Sequence, residues 1–185
     1  MRKLLTALLT TGALLGAAGS AAALTVGTSF TVSATVLKTC SVAATNLGFG
    51  NYTPGSGVVP TATSTISVNC TKGTGFTVAL DKGTTAGGSI TQRLMLQTAG
   101  ASTLQYNLCT TAVTAAGACN GATLFGDGTG GTNAPAGTGA GMGGGNVQTV
   151  TVFGGVPDNA FNQAAAVAAS GSSPYTDTVA VLVTY

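Results

Sequence analysis

The sequence has 185 residues, of which 44% are hydrophobic and only 5% are charged. It contains four acidic residues, all of them aspartates, and no histidine, which excludes Ser-His-Asp and Cys-His catalytic arrangements. The formal net charge of +2 comes from Arg2 and Lys3, and the rest of the chain has equal numbers of basic and acidic side chains. A chain with so few charges and no basic excess gives no electrostatic reason to expect nucleic-acid binding.

The N-terminus has the pattern of a secretory signal. Two basic residues precede an apolar run over 4–18, and small residues that end at Ala23 follow it. We predict a signal peptide over residues 1–23, with cleavage after Ala23 or, as second choice, after Ala22. The apolar run is shorter than the roughly 20 residues that a membrane-spanning helix needs. No membrane span is expected after cleavage, and residues 24–185 are enough for one domain.

Apolar and polar residues alternate with a period of two along most of the remaining chain, which is typical of half-buried β-strands. Clusters of Gly, Pro, Asn and Ser separate the alternating runs. The predicted strands are centred, in chain order, on residues 30–36, 66–70, 76–80, 104–108, 150–152 and 179–185. The alanine-rich stretch Asn159–Ala169 is expected to form at most one or two helical turns. The pattern predicts an all-β protein, arranged as a β-sandwich.

Four cysteines follow the predicted signal, and an even number in an exported chain indicates disulfides. Four cysteines allow three pairings, of which we favour Cys40–Cys70 and Cys109–Cys119. The sequence has no CxxC spacing and no histidine, so it gives no support to a zinc site.

Residues 126–145 are glycine-rich, with ten glycines among twenty residues, and this composition predicts a long flexible loop. The loop contains one GxGxxG match, at Gly139, Gly141 and Gly144. A strand-like run follows that match, whereas a nucleotide-binding fingerprint requires a helix there. A single aspartate beside glycines, Asp127, cannot supply the six or more oxygens that calcium takes. We therefore expect neither a cofactor nor a metal.

Each of the four aspartates has glycine, proline, asparagine or threonine neighbours, which are typical of turns. We predict solvated turn positions for Asp81, Asp127, Asp158 and Asp177, not a catalytic pair of carboxylates. The sequence thus predicts no enzymatic activity, and it disfavours a secreted hydrolase.

Several short motifs follow one another in an order that resembles the spore coat protein U domain family. That family includes the Csu-type subunits of archaic chaperone–usher pili. The motifs are FTVSATV over 30–36, CSV over 40–42, LGFGNY over 47–52, ISVNC over 66–70, LQYNL over 104–108, FGDG over 125–128, VFGGVP over 152–157, and YTDTV from 175 to the closing TY at 184–185. Phe125 stands where the family usually has tryptophan. Cys109 and Cys119 are an extra pair beside the usual Cys40–Cys70.

The resemblance implies an immunoglobulin-like β-sandwich that lacks its last strand and is completed by a donor strand from a neighbouring subunit. It divides the chain into a signal peptide (1–23), a donor-strand extension (24–37) and a sandwich domain (38–185). The implied donor side chains are Phe30, Val32, Ala34 and Val36. The implied acceptor groove, which is also the edge that the chaperone binds, consists of Val179, Val181, Val183 and Tyr185.

The function that this resemblance implies is that of a structural subunit of a pilus or coat, exported through the periplasm to the cell surface and supporting adhesion or biofilm formation. The expected partners are copies of itself or sister subunits, a periplasmic chaperone and an outer-membrane usher. The alternative is a monomeric secreted carbohydrate-binding or adhesive module. The chain has no tryptophan to serve as a sugar-stacking platform, although four tyrosines remain.

Overall fold

The computed structural model describes residues 23–120, 123–165 and 173–185, so the predicted signal peptide up to Ala22 lies outside the described residues. The chain divides into two units between Thr35 and Val36. In the first unit, residues 23–35 contain no assigned strand or helix. Their large apolar side chains are exposed, by 94% for Leu24 and by 87% for Phe30.

The described part of the second unit contains nine strands in two sheets, with antiparallel pairing throughout. The strands are β1 (Cys40–Ala44), β2 (Thr61–Cys70), β3 (Gly75–Leu80), β4 (Arg93–Gln97), β5 (Thr103–Cys109), β6 (Ala136–Thr138), β7 (Gln148–Gly155), β8 (Tyr175–Thr176) and β9 (Val181–Thr184). The six-stranded sheet has the order β1-β2-β7-β5-β4-β8, and the three-stranded sheet has the order β6-β3-β9. A 3₁₀ helix (Gly144–Asn146) and a short helix α1 (Ala160–Gln163) complete the fold.

The core follows from the two-residue alternation. Ile66 and Val68 on β2 are at most 1% exposed, and Val78 on β3 is fully buried, while the residues between them face outward or are half-buried. Side chains from β4, β5 and β7 join this cluster. The alternation therefore places one face of β2, β3, β5 and β7 in a shared core, as expected for a sandwich.

One end of the second unit, called here the linker end, is where the N-terminal segment joins it. At this end β1 starts beside the last residue of β2, with Cys40 opposite Cys70. The short connection 71–74 leads directly into β3, whose third residue, Thr77, lies opposite Thr184 near the end of β9. The start of β1 and the end of β9 therefore lie at the same end of the molecule.

The opposite end, called here the groove end, is where β3 ends and β9 begins, with Leu80 opposite Val181. β2 also begins here and β7 ends here, with Thr61 opposite Gly155. It follows that β1 and β9 run in opposite directions between the two ends.

The prediction of a flexible loop over 126–145 is wrong for a large part of that segment. β6 lies within it and pairs with β3, so that Gly137 is opposite Phe76. The N–H of Gly139 donates to the carbonyl of Thr74 at 2.7 Å. These glycines serve close packing instead of mobility, because a Cβ at Gly139 would lie 2.7 Å from the Cβ of Cys70.

The predicted helix-like stretch is a helix only over Ala160–Gln163, and its continuation from residue 166 lies outside the described residues. The first predicted strand, 30–36, is not part of either sheet. The other five predicted strands overlap β2, β3, β5, β7 and β9.

Candidate functional site

An open groove of about 390 Å³ lies at the side of the sandwich. One wall is the chain from the end of β1 to Phe49, and the other is the chain that leads into β9, from Tyr175 to Val181. Its floor consists of core side chains, namely Ile66, Leu80, Met95, Tyr106, Leu108 and Val152. The groove therefore leads from the surface to the hydrophobic core, whose side chains at the floor are at most 9% exposed.

The groove is flanked by two sheet edges. Within the described residues, β1 is one of the two edge strands of the six-stranded sheet, and β9 is one of the two edge strands of the three-stranded sheet. The outer N–H and C=O groups of an edge strand have no ladder partner, which makes such an edge a template for an added strand. An open core between two such edges has the features of a β-augmentation site.

The structure places only part of the predicted acceptor set at the groove. Val179 and Val181 line it. Val183 is partly buried and packs against the core, but it is not among the lining residues. Tyr185 follows the end of β9 and is 54% exposed.

The predicted donor side chains are all accessible. Phe30 is 87% exposed, Val32 81% and Val36 84%, and Ala34 is also exposed. Such a run of exposed apolar side chains is costly in water and is typical of a surface that is covered by a partner.

A polar pair that the sequence reasoning missed supports one wall of the groove. The hydroxyl of Tyr106 donates to Asp177 Oδ2 at 2.6 Å. Asp177 Oδ1 accepts from the N–H groups of Thr84 and Thr85 at 3.0 and 3.1 Å. Burial raises the pKa of the Tyr106 hydroxyl, and the hydrogen bond to Asp177 raises it further. These bonds fix the segment that carries Val179 into β9.

A second aspartate fixes a loop at the groove end. Asp158 accepts hydrogen bonds from the Tyr52 hydroxyl at 2.6 Å and from the N–H groups of Gly55 and Gly57 at 2.9 and 2.7 Å. These bonds, the one from Tyr52 foremost, lower the pKa of Asp158 to about 2. The sequence indicated a turn at Asp158 but not these three donors. Gly55 and Gly57, both with positive φ, are the sequence signal for such a loop.

Arg93 is another residue whose place the sequence did not indicate. It is 1% exposed and donates to the carbonyls of Asp81, Ile90 and Leu80 at 2.8, 3.0 and 3.3 Å. Burial lowers its pKa, although arginine remains charged under ordinary conditions. Because its partners are main-chain carbonyls, it holds the connection after β3 in place.

Two disulfides join Cys40 to Cys70 and Cys109 to Cys119, with Cα–Cα distances of 4.1 and 5.4 Å. These are the pairings that we favoured from the sequence. The first ties the start of β1 to the end of β2, so that the edge strand beside the groove is covalently held.

In residues 23–120, 123–165 and 173–185, no group of three or more His, Cys, Asp or Glu side chains is placed to hold a metal ion. The same residues include no helix that is both long and apolar enough to span a membrane.

Comparisons with known proteins identify the family. The profile of the Spore Coat Protein U domain matches residues 26–182. The structure is similar to a chain in the crystal structure of the CsuC–CsuE chaperone–tip adhesion subunit pre-assembly complex from archaic chaperone–usher Csu pili of Acinetobacter baumannii. The TM-score is 0.53 and the sequence identity is 21%, and the match covers 82% of this chain and 41% of that chain. A search of curated proteins found no match.

The likeness to the Csu structure shows a common immunoglobulin-like fold, which confirms the fold class expected from the sequence. The profile match confirms the resemblance that the short motifs indicated. The chain therefore belongs to the Spore Coat Protein U domain family, whose members are structural proteins and not enzymes.

Proposed function

We propose that this chain is a structural subunit of a polymer on the bacterial cell surface, a pilus or a coat. Consecutive copies, or copies and sister subunits, are joined when residues 30–36 of one molecule add a strand to the groove of the next. The observation that carries this proposal is the open core between the β1 and β9 edges, present in a chain that also has an exposed apolar segment.

The donor segment matches the chemistry of the groove. In an extended strand, Phe30, Val32, Ala34 and Val36 point to one face, and the strand from 30 to 36 spans about 20 Å. Burial of these four side chains stabilises the joined state by about 5–9 kcal/mol. The entropy lost when the segment becomes ordered subtracts from this gain.

The direction of the donor segment relative to β9 differs between insertion into its own groove and exchange between molecules. Only residues 37–39 connect Val36 to the start of β1 at Cys40. A segment that folded back into its own groove would run antiparallel to β1 and therefore parallel to β9. A segment from another molecule has no such constraint and is able to run antiparallel to β9.

Before assembly, we infer, a periplasmic chaperone covers the groove, and an outer-membrane usher then passes the subunit to the cell surface. An open core exposes apolar surface that aggregates if it is left uncovered. The structurally similar Csu chain was crystallised in a chaperone–subunit pre-assembly complex, which supports this inference. The corresponding division of the chain is a signal peptide (1–23), a donor extension (24–37) and a sandwich domain (38–185).

The proposal is tested by placing a charge on either face of the donor. Val32→Asp buries an unpaired carboxylate in the neighbour's groove, which costs more than the burial of an uncharged polar group. Ser33→Asp is the matched control, because position 33 faces away from the groove. Each variant is expressed with the cognate chaperone, and periplasmic subunit and surface polymer are measured separately.

We expect Val32→Asp to abolish the polymer and leave the periplasmic subunit intact, while Ser33→Asp retains both. Normal polymerisation of Val32→Asp would show that the donor assignment is wrong. Loss of the periplasmic subunit itself would make 30–36 an ordinary intramolecular strand. A groove-wall variant, Val181→Asp, is expected to eliminate the folded subunit as well as the polymer.

A further inference from the structure

The charged side chains of the second unit are segregated between its two ends. All four aspartates lie at the groove end. Asp81 directly follows β3, and Asp127 follows Gly126, whose carbonyl accepts from the N–H of Leu80 at 3.0 Å. Asp158 closely follows the end of β7, and Asp177 accepts from Thr84, just beyond β3.

Two cations share this end with the carboxylates. Lys82 is exposed beside Asp81, and Arg93 is buried with its Nε donating to the carbonyl of Asp81 at 2.8 Å. Four carboxylates and two cations leave the groove end with a net charge of −2. Both Asp127 and Asp158 have lowered pKa values because hydrogen-bond donors face them, so these two carboxylates are ionised at neutral pH.

The linker end has the opposite charge. Lys38 and Lys72 flank the Cys40–Cys70 disulfide, and the N–H of Thr71 donates to the carbonyl of Thr39 at 3.0 Å, so both lysines lie at this end. Both side chains are exposed.

We propose that these two ends form a second, electrostatic interface between consecutive copies of this chain, in which Lys38 and Lys72 of one copy face the carboxylates at the groove end of the next. The inference rests on the proposed function, because the donor strand is what brings the two ends together. Lys38 is two residues beyond Val36, so it lies within about 7 Å of the end of the inserted strand.

The charges also select the direction of insertion. A donor antiparallel to β9 places Lys38 beside the neighbour's groove end, near Asp177 and Asp81. A donor parallel to β9 places Lys38 at the neighbour's linker end, against that copy's Lys38 and Lys72. Like charges in contact are unfavourable, so the antiparallel, head-to-tail arrangement is preferred.

The physical consequence is faster association of correctly oriented ends. Opposite charges on approaching surfaces raise the association rate and act less on the final affinity. The effect depends on salt, since the screening length falls from about 30 Å at 0.01 M to about 3 Å at 1 M. Because only 5% of the residues are charged, few other charges compete with this attraction.

The experiment measures the polymerisation rate of the purified, exported chain by light scattering, at about 0.01 M and about 1 M salt. Lys38→Glu with Lys72→Glu reverses the charge of the linker end, and Lys38→Arg with Lys72→Arg is the charge-preserving control. Lys82→Glu makes the groove end more negative. All three lysines are exposed, and none belongs to the groove or the donor face.

We expect the double glutamate variant to polymerise more slowly than wild type at low salt, by a factor on the order of 10, and at the wild-type rate at high salt. The double arginine variant is expected to match wild type at both salt concentrations. Lys82→Glu is expected to polymerise faster than wild type at low salt, an outcome that misfolding cannot produce.

A wild-type rate that is independent of salt, or a double glutamate variant that matches wild type at low salt, would overturn this inference and leave the proposed function standing. A deficit that persists at high salt would also overturn it. If wild type forms no polymer at either salt concentration, the proposed function fails and this inference fails with it.

Discussion

Single carboxylates hold distant segments of this protein together. Asp158 accepts from Tyr52, 106 residues earlier in the chain, and Asp177 accepts from Tyr106, 71 residues earlier. The sequence shows the turn character of both aspartates, but it does not show which donors the fold brings to them. Their partners are set by tertiary structure, which is why a local pattern predicted solvated positions.

The Asp177 contacts predict a graded loss of stability. Asp177→Ala leaves the Tyr106 hydroxyl and the N–H of Thr85 without their acceptor, whereas the N–H of Thr84 keeps its bond to the Thr178 carbonyl. We expect the variant to lower the free energy of unfolding by about 1–3 kcal/mol. Tyr106→Phe removes one bond and should cost less, about 0.5–1.5 kcal/mol. Urea unfolding of the two variants and the parent measures the difference; equal losses would contradict this role for Asp177.

Asp158 predicts a pH dependence at the acidic end. Its pKa falls from the ordinary 3.8 to about 2 in the folded protein, with the Tyr52 hydrogen bond as the largest cause. Because the folded-state pKa is the lower one, its contribution is complete above 3.8 and is lost as the pH falls towards 2. Asp158→Asn should reduce the slope of unfolding free energy against pH in this interval. An unchanged slope would mean that these hydrogen bonds are absent in solution.

At the level of strands, two-residue alternation located β2, β3, β5, β7 and β9. It missed β4, because this strand is buried on both faces for its first three residues and therefore has no alternation. It missed β8 because that strand has only two residues. Glycine composition also does not distinguish glycines that permit mobility from glycines that permit close packing. β6 lies among glycines of the second kind.

The close packing of the glycine-rich segment is testable at one position. A Cβ at Gly139 would contact the Thr71 carbonyl oxygen and lie 2.7 Å from the Cys70 Cβ, so Gly139→Ala should destabilise the fold by about 1–3 kcal/mol. Gly145→Ala is the matched control, because a Cβ there meets no atom within 4 Å. Thermal unfolding compares the two. Equal, small effects would indicate that 126–145 is the flexible loop expected from composition.

For the whole molecule, composition and motif order were enough to predict an all-β immunoglobulin-like domain and its family. The groove was a weaker prediction. Val179 and Val181 line it, but Val183 and Tyr185 do not. Alternation along the last strand could not separate these two pairs, because it says nothing about how far the opposite wall extends. The packing of the two sheets against each other determines two further features, which are the wall from Ala44 to Phe49 and the Tyr106–Asp177 pair.

The proposed strand exchange places residues 30–36 of one copy in the groove of another. It is tested most directly by replacing Val32 with a photoreactive phenylalanine in one isotopically labelled copy, and mixing this copy with unlabelled chain during assembly. Mass spectrometry then maps the cross-links, with the same group at Ser33 as the control. We expect cross-links from position 32 to residues 44–49 or 175–181 of a differently labelled copy, and few from position 33. Cross-links confined to the same copy, or none to the groove walls, would contradict it.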